Sequence, residues 1–327
     1  MKKALIFIVT LIHFFSGKAQ LDIPFNQVAN MLEFYNPALV AEKEHSQILI
    51  GYKSLVAQNS AVDVNSNYIF YEKVSPRIGY LSGSFILKEK NNKTHGLGAY
   101  IRQYTYRPFS KLSAGINYGL GIQLNEKTKI GMGVSLKLIS SSINFDYVRF
   151  IDDFSEPLRA TNLGTHRSTW LEPNIGVYLN KKRYELGVSL LNILQKNSSL
   201  PIVSGFEAAG NTSYNPDRLH LYFNYSFDID SSDFKIITGT QLILYPSNVS
   251  SILTVNVENK YAGLGIAYRH LSGISFLASI KAKGLKFSYS YEVITTDLKS
   301  FGNYGLSQEL FISYSLNKKK TTPSTSL

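Results

Sequence analysis

The residues of this chain that could carry acid–base or nucleophilic chemistry are few and scattered. His166 stands two positions before Ser168, with Asp152, Asp153 and Glu156 upstream, so one stretch holds the residue types of a nucleophile, a base and an orienting carboxylate. Such a set acts only if geometry assembles it, and a His and a Ser in one loop are ordinarily solvated, so no catalytic residue is assigned. His13 lies in the apolar leader, while His45, His95, His220 and His270 sit at the ends of alternating runs without metal-ligand spacing; hydrogen bonding is expected of them, and no metal is assigned. Gly263-Leu264-Gly265 is followed by no helix, so it is not read as a nucleotide loop, and no cofactor is assigned. The chain has 0 Cys, which excludes disulfides, thiolate chemistry and a lipid-modified cysteine.

The elements that must position these side chains are strands. Between Ser113 and Leu124 the residues alternate so that Ala114, Ile116, Tyr118, Leu120, Ile122 and Leu124 share one face while Gly115, Asn117 and Gln123 share the other. After a turn at 125–128, Ile130, Met132, Val134, Leu136 and Leu138 continue the apolar face opposite Gly131, Gly133 and Ser135. Runs of this kind recur at 45–55, 77–88, 95–104, 112–124, 129–143, 169–179, 183–194, 218–228, 235–245, 251–257, 262–269, 274–282, 285–293 and 306–316. The pattern predicts an all-β fold, a transmembrane antiparallel β-barrel of about 14 strands with long loops and short turns at opposite ends. Long connections follow the first, fifth, seventh and thirteenth runs, all odd. Tyr68 to Tyr71 is left in the first long loop, because counting it as a strand would break that parity.

The chain has 327 residues, a net charge of +11, 22 Tyr and 19 Phe. Abundant Tyr and Phe with modest charge suits the aromatic girdles of a barrel in lipid. The basic residues fall at turns and form no strip able to follow a phosphate backbone, so no nucleic-acid partner is expected. By the loop parity, Lys88, Lys90 and Lys93, Lys127 and Lys129, and Lys181, Lys182 and Arg183 are assigned to periplasmic turns as a basic rim, able to dock an acidic partner or simply to keep that end soluble.

Residues 1–19 read as a signal peptide: Lys2 and Lys3, an apolar stretch from Ala4 to Phe15, then small residues before Gln20. The stretch is too short for the ~20 residues of a spanning helix. Residues 20–44 include Phe25, Gln27, Met31, Phe34, Tyr35, Asn36 and Pro37, too apolar for a free tail; they are expected to fill the barrel mouth as a plug, with a periplasmic leader as the plain alternative. Gly131, Gly133, Ser135, Gly187, Ser189, Ser288 and Ser290 leave room on the inner face for water, this segment or an inserted partner, unless glycine there only eases curvature. Residues 45–317 are the barrel and 318–327 a polar tail.

The order of several short motifs resembles the PorP/SprF family of type IX secretion outer-membrane barrels of Bacteroidetes. Gln20-Leu-Asp-Ile-Pro-Phe-Asn-Gln27 leads to Phe34-Tyr35-Asn36-Pro37-Ala38, and Arg218-Leu219-His220, Leu244-Tyr245-Pro246-Ser247, Gly263-Leu-Gly-Ile-Ala-Tyr-Arg269 and Phe287-Ser-Tyr-Ser-Tyr-Glu292 follow in sequence. Two departures stand out: Gly305-Leu306-Ser307-Gln308-Glu309 lacks the family's His, and Gly51-Tyr52-Lys53-Ser54-Leu55 replaces an Arg-rich, Trp-containing element. The resemblance implies a non-enzymatic accessory barrel in the outer membrane, in contact with its lipid. It further implies export or surface anchoring of large cargo with a C-terminal secretion domain, including adhesins of gliding cells, alongside periplasmic or outer-membrane components of the same system. Phe25, Gln27, Phe34, Tyr35, Asn36, Pro37, Lys181, Lys182 and Arg183 are the candidate partner-binding residues. A passive channel for small or apolar solutes is the competing expectation.

Overall fold

The computed structural model describes residues 25–43, 45–57, 68–69, 75–90, 92–106, 109–144, 149–150, 164–193, 218–229, 233–245, 248–270, 272–295 and 304–316. The leader, the polar tail, and Asp152, Asp153 and Glu156 lie outside these residues. Fourteen strands close into one barrel: β1 (Ser46–Ala57), β2 (Arg77–Lys90), β3 (Lys93–Tyr106), β4 (Phe109–Asn125), β5 (Thr128–Asn144), β6 (Thr165–Lys181), β7 (Tyr184–Leu191), β8 (Arg218–Asp228), β9 (Lys235–Tyr245), β10 (Asn248–Glu258), β11 (Ala262–Arg269), β12 (Gly273–Ala282), β13 (Leu285–Ile294) and β14 (Tyr304–Leu316). Each pairs antiparallel with its sequence neighbours, and β1 closes on β14 with Ser46 opposite Leu316. Closure leaves no unpaired edge in the ring. Tyr68–Ile69 stays out of the barrel and pairs with Arg149–Phe150 in a small separate ribbon.

The alternation sorts the two media as the sequence pattern requires. Ile116 is 62% exposed, Met132 57% and Leu264 69%, while their neighbours Asn117, Gly133 and Gly265 turn inward. An apolar surface this extensive is tenable only against lipid or a partner, and exposed large apolar side chains stand on β1 to β7 and on β10 to β14, as an outer-membrane fold presents them. The long connections all leave from one end, after β1, β5, β7 and β13; every connection at the other end is short, among them those at 126–127, 182–183 and 283–284. At two of these, Lys182 and Lys283 take φ of 46° and 48°, the left-handed conformation that a tight two-residue hairpin demands.

The interior is not hollow. A one-turn α-helix α1 (Leu32–Tyr35) lies between two 3₁₀ turns, Val28–Asn30 and Pro37–Ala41, and all three are packed against the inner wall. Asn36 ends the helix in an extended conformation, as a residue before proline prefers, and its side-chain Oδ1 accepts from the Ala38 N–H at 3.1 Å to cap the next turn. Phe25, Met31, Phe34, Tyr35, Leu49, Ile78, Tyr80, Tyr100 and Phe311 form one buried apolar cluster across the lumen.

Candidate functional site: a segment clasped inside the lumen

Residues 25–43 follow the inner wall from near the long-connection end to the short-turn end, and the wall grips them in three different ways.

At the long-connection end, a buried charge cluster holds Asn26 and Gln27. Lys53 of β1 stands opposite Glu309 of β14 in the closing ladder, and their side chains meet at 2.8 Å. The Lys53 ammonium also lies 3.5 Å from Glu292 of β13, whose other oxygen is 3.6 Å from Arg269 of β11. Two cations and two carboxylates thus balance in a region closed to solvent, where each carboxylate still needs donors for its remaining lone pairs. The segment supplies them. Glu309 accepts from the backbone N–H groups of Asn26 at 2.6 Å and Gln27 at 3.1 Å, and from Ser290 at 3.1 Å. Glu292 accepts from the Asn26 side-chain amide at 2.8 Å and from Ser272 at 2.9 Å, while Arg269 donates to Asn26 Oδ1. Phe25 seals the cluster with its ring 5.0 Å from that of Phe311.

In the middle, two cations approach the Phe34 ring: the Arg102 guanidinium lies 5.3 Å and the Lys137 ammonium 5.1 Å from its centre. Lys137 is fixed in turn by Glu172 at 3.0 Å, and Glu172 accepts from the Trp170 indole at 2.9 Å. Tyr35 stacks on His220, and its carbonyl accepts from Ser189 at 2.7 Å.

Below, the wall approaches the segment's backbone across a floor of glycines. A Cβ at Gly96 would stand 2.5 Å from the Val40 carbonyl oxygen, and one at Gly119 would stand 2.9 Å from Val40 Cγ1. At Gly133 it would meet the Ala38 Cα at 2.5 Å, and at Gly176 it would overlap the Asn36 side chain. Only glycine leaves room for a backbone this close. Asn36 spans the contact by donating to the Val177 carbonyl at 2.9 Å, and Asn117 donates to the Glu33 carbonyl at 2.9 Å. Of the alternatives for the space left by small residues, the chain's own segment occupies the part lined by Gly96, Gly119, Gly133 and Gly176.

The sequence-picked residues separate into two groups. Phe25, Gln27, Phe34, Tyr35, Asn36 and Pro37 come together inside the barrel, all buried against its own wall. Lys181, Lys182 and Arg183 lie apart from them, exposed at the turn between β6 and β7. The basic rim needs one correction: Lys129 does not belong to it. Its position shares the inward parity of Gly131, and its ammonium donates to the carbonyls of Ala41 at 2.6 Å and Glu42 at 3.2 Å, tying down the end of the segment. His166 and Ser168 lie at the start of β6, opposite Ile143 and Ser141 on β5. The charged cluster itself went unassigned in the sequence, although Arg269 and Glu292 lie within motifs quoted for the family resemblance and Lys53 and Glu309 within its two departures. The available signal was a charged residue on the inward parity of an apolar strand. Gln308, at the motif that lacks the family's His, faces outward, whereas Glu309 beside it faces the cluster.

The PorP/SprF family, type IX secretion system membrane proteins, matches residues 17–314. The chain belongs to that family. The fold is shared with solved outer-membrane barrels at low sequence identity. A TodX mutant described as a monoaromatic hydrocarbon channel is 11% identical at a TM-score of 0.51, over 88% of this chain and 94% of that one. The Ralstonia pickettii toluene transporter TbuX is 9% identical at 0.49, over 88% and 94%, and the Acinetobacter baumannii outer membrane protein Omp33 is 7% identical at 0.49, over 83% and 98%. No curated protein matches the chain. Family and fold are therefore those of a secretion-system membrane barrel, not of an enzyme class.

Proposed function

We propose that this PorP/SprF barrel is a non-enzymatic accessory of type IX secretion that assists export or surface anchoring of a large cargo protein with a C-terminal secretion domain, of the adhesin type used in gliding. The observation that carries this reading is the lumen: residues 25–43 lie inside it and are bonded to the wall from the Glu309 cluster to Lys129. A barrel occupied by its own chain suits a docking scaffold better than a conduit. In this reading residues 1–19 are a cleaved signal, the short turns face the periplasm and its secretion components, and the long connections face the cell surface. Buried Phe25, Gln27, Phe34, Tyr35, Asn36 and Pro37 act on partners indirectly, by fixing the shape of the lumen's inner face.

Deletion of the gene in its native cell is the test. Loss of one large protein from the surface, with small-solute uptake unchanged, is the expected result; normal surface display would reject the reading. A passive channel for small or apolar solutes makes the opposite forecast: uptake falls while display persists. Removing residues 20–36 from the purified barrel separates the two further. A lumen closed by its own segment should gain conductance in planar bilayers once that segment is gone.

A further inference from the structure

Toward the short turns, the lumenal segment leans on one side of the barrel and leaves the other side open. Fourteen strands about 4.8 Å apart and tilted by about 40° close on a backbone circle roughly 28 Å across, whereas a helical turn with its side chains spans about 10–12 Å. The last turn of the segment, Pro37–Ala41, rests on β2 to β6. On the opposite wall, β9 to β13, burial changes along the strands: Arg269, Ser275, Ser290 and Glu292 toward the long-connection end are buried, while inward-facing Asn256, Ser279 and Lys286 nearer the short turns are partly exposed. Inside a closed ring, that exposure means water in front of them. The lumen is a cup, closed at the level of the charge cluster and open at the short turns.

The open side is lined by Thr254 and Asn256 of β10 and Ser279 of β12, a polar surface that Ile237 and Leu277 interrupt. At the mouth, Lys281 reaches Glu258 at 2.7 Å across β11, where Gly263 has no side chain to stand between them. Lys286 lies opposite Lys281 in the ladder and Lys235 opposite Glu258, and neither Lys286 nor Lys235 forms an ion pair with a described residue. We propose that this cup admits an extended, acidic stretch of polypeptide from the short-turn end. The space of about 16 Å between the segment and the opposite backbone exceeds the ~10 Å at which two β layers pack, so one extended chain fits with its side chains. Hydroxyl and amide groups on the wall suit a visiting backbone, whose own N–H and C=O groups need partners away from bulk water. Lys235 and Lys286, behind the exposed Lys181, Lys182 and Arg183, favour carboxylates over cations. The room and the charge stand on the barrel alone; only the source of the chain, a periplasmic secretion component, rests on the secretion reading.

The chain has 0 Cys, so one introduced thiol reports on one position. Ser279→Cys and Ser275→Cys share the inner face of β12, one in the open part of the cup and one in the closed part. Each variant is purified as the full barrel in detergent, shown to be folded by its heat-dependent migration, and treated with N-ethylmaleimide. Ser279→Cys should react at least tenfold faster than Ser275→Cys. Octaglutamate should slow that reaction at least tenfold in a saturable way, while octalysine leaves it unchanged and citrate at the same carboxylate concentration protects far less. Adding Lys235→Gln with Lys286→Gln should raise the octaglutamate concentration for half-protection at least tenfold. Equal reactivity of the two thiols would remove the cup itself. Absent protection by octaglutamate, equal protection by octalysine, or an unchanged midpoint in the folded lysine variant would overturn the proposal, and protection by citrate as strong as by octaglutamate would replace the polypeptide with a small acid. None of these failures touches the surface-display phenotype, which tests the secretion role separately; normal display in the deletion strain would remove the source of the chain and leave the cup's chemistry standing.

Discussion

The two ends of the lumenal segment are held by opposite physics. At Asn26 and Gln27 the wall offers charge, with Lys53, Arg269, Glu292 and Glu309 arranged so that the segment's own N–H groups complete the carboxylates' hydrogen bonding. At Asn36 to Ala41 the wall offers emptiness, with Gly96, Gly119, Gly133 and Gly176 removing the side chains that would keep a backbone away. A buried charge cluster is directional and tolerates few substitutes, while a glycine floor is a shape that any added methyl group spoils. The first fixes which residues sit at the long-connection end; the second fixes how deep the chain lies. Together they give a short, irregular segment one position, which its single helical turn and two 3₁₀ turns do not have strength to choose alone.

The largest effect is expected where the charge cluster is broken. Lys53→Met leaves Glu292 and Glu309 buried with Arg269 as their countercharge in the cluster, a loss of about 3–5 kcal/mol typical of removing one partner of a buried pair. The midpoint of urea unfolding, followed by heat-dependent migration, measures it. Adding Glu309→Gln should recover part of that loss, because one uncompensated charge then disappears. A Lys53→Met barrel as stable as the parent would show that the cluster positions the segment without stabilising the closing strands.

Gly133→Ala probes the other grip. The new methyl group meets the Ala38 backbone, and overpacking of this kind costs about 1–3 kcal/mol or displaces the offending segment. The chain has no cysteine, so Met31→Cys, buried in the parent, reports displacement through labelling by a membrane-impermeant maleimide. Labelling should be slow in the otherwise unaltered barrel and fast with Gly133→Ala. If Lys53→Met frees Met31→Cys but Gly133→Ala does not, the glycine floor is only a matter of wall curvature.

A smaller effect belongs between the two. Phe34→Leu keeps most of the buried apolar volume but removes the ring faced by Arg102 and Lys137, at a cost of about 0.5–2 kcal/mol. Double-mutant cycles with Lys137→Met isolate the ring's share. Zero coupling would reduce Phe34 to ordinary packing.

The strands were legible in the sequence because period-two alternation against lipid is imposed on every residue of the membrane belt, and because the turns carry their own chemistry. Their ends were less so. β4 and β6 run on to Phe109 and Thr165, beyond the alternating stretch, since a ladder of backbone hydrogen bonds continues where neither face needs to be apolar. β7 stops at Leu191, earlier than its apolar run. The pairing inside the charge cluster was illegible for a different reason: Lys53 and Glu309 are neighbours only because the barrel closes, a property of register that no local pattern carries. Lys129 stands next to a turn, where a basic residue is commonly a rim charge. The inward parity it shares with Gly131 and Gly133 pointed to the lumen.

The smallest effect on stability, and the sharpest separation of the lumen from the surface, is expected at Lys181, Lys182 and Arg183. These side chains are exposed, and the Lys182 N–H donates to the Lys127 carbonyl at 2.8 Å, which sets two basic turns side by side. Reversing all three charges should change the unfolding midpoint by no more than the ~1 kcal/mol that exposed charges contribute, since no buried partner is abandoned. Recovery of an acidic periplasmic component from native membranes should fall nonetheless. The difference between parent and variant should shrink as salt shortens the reach of the interaction to about 8 Å near physiological ionic strength. A rim that only solubilises the turns would leave partner recovery unchanged even at low salt. A rim that docks would lose its partner while Met31→Cys stays protected, because the segment's grips lie in the lumen and share none of these charges.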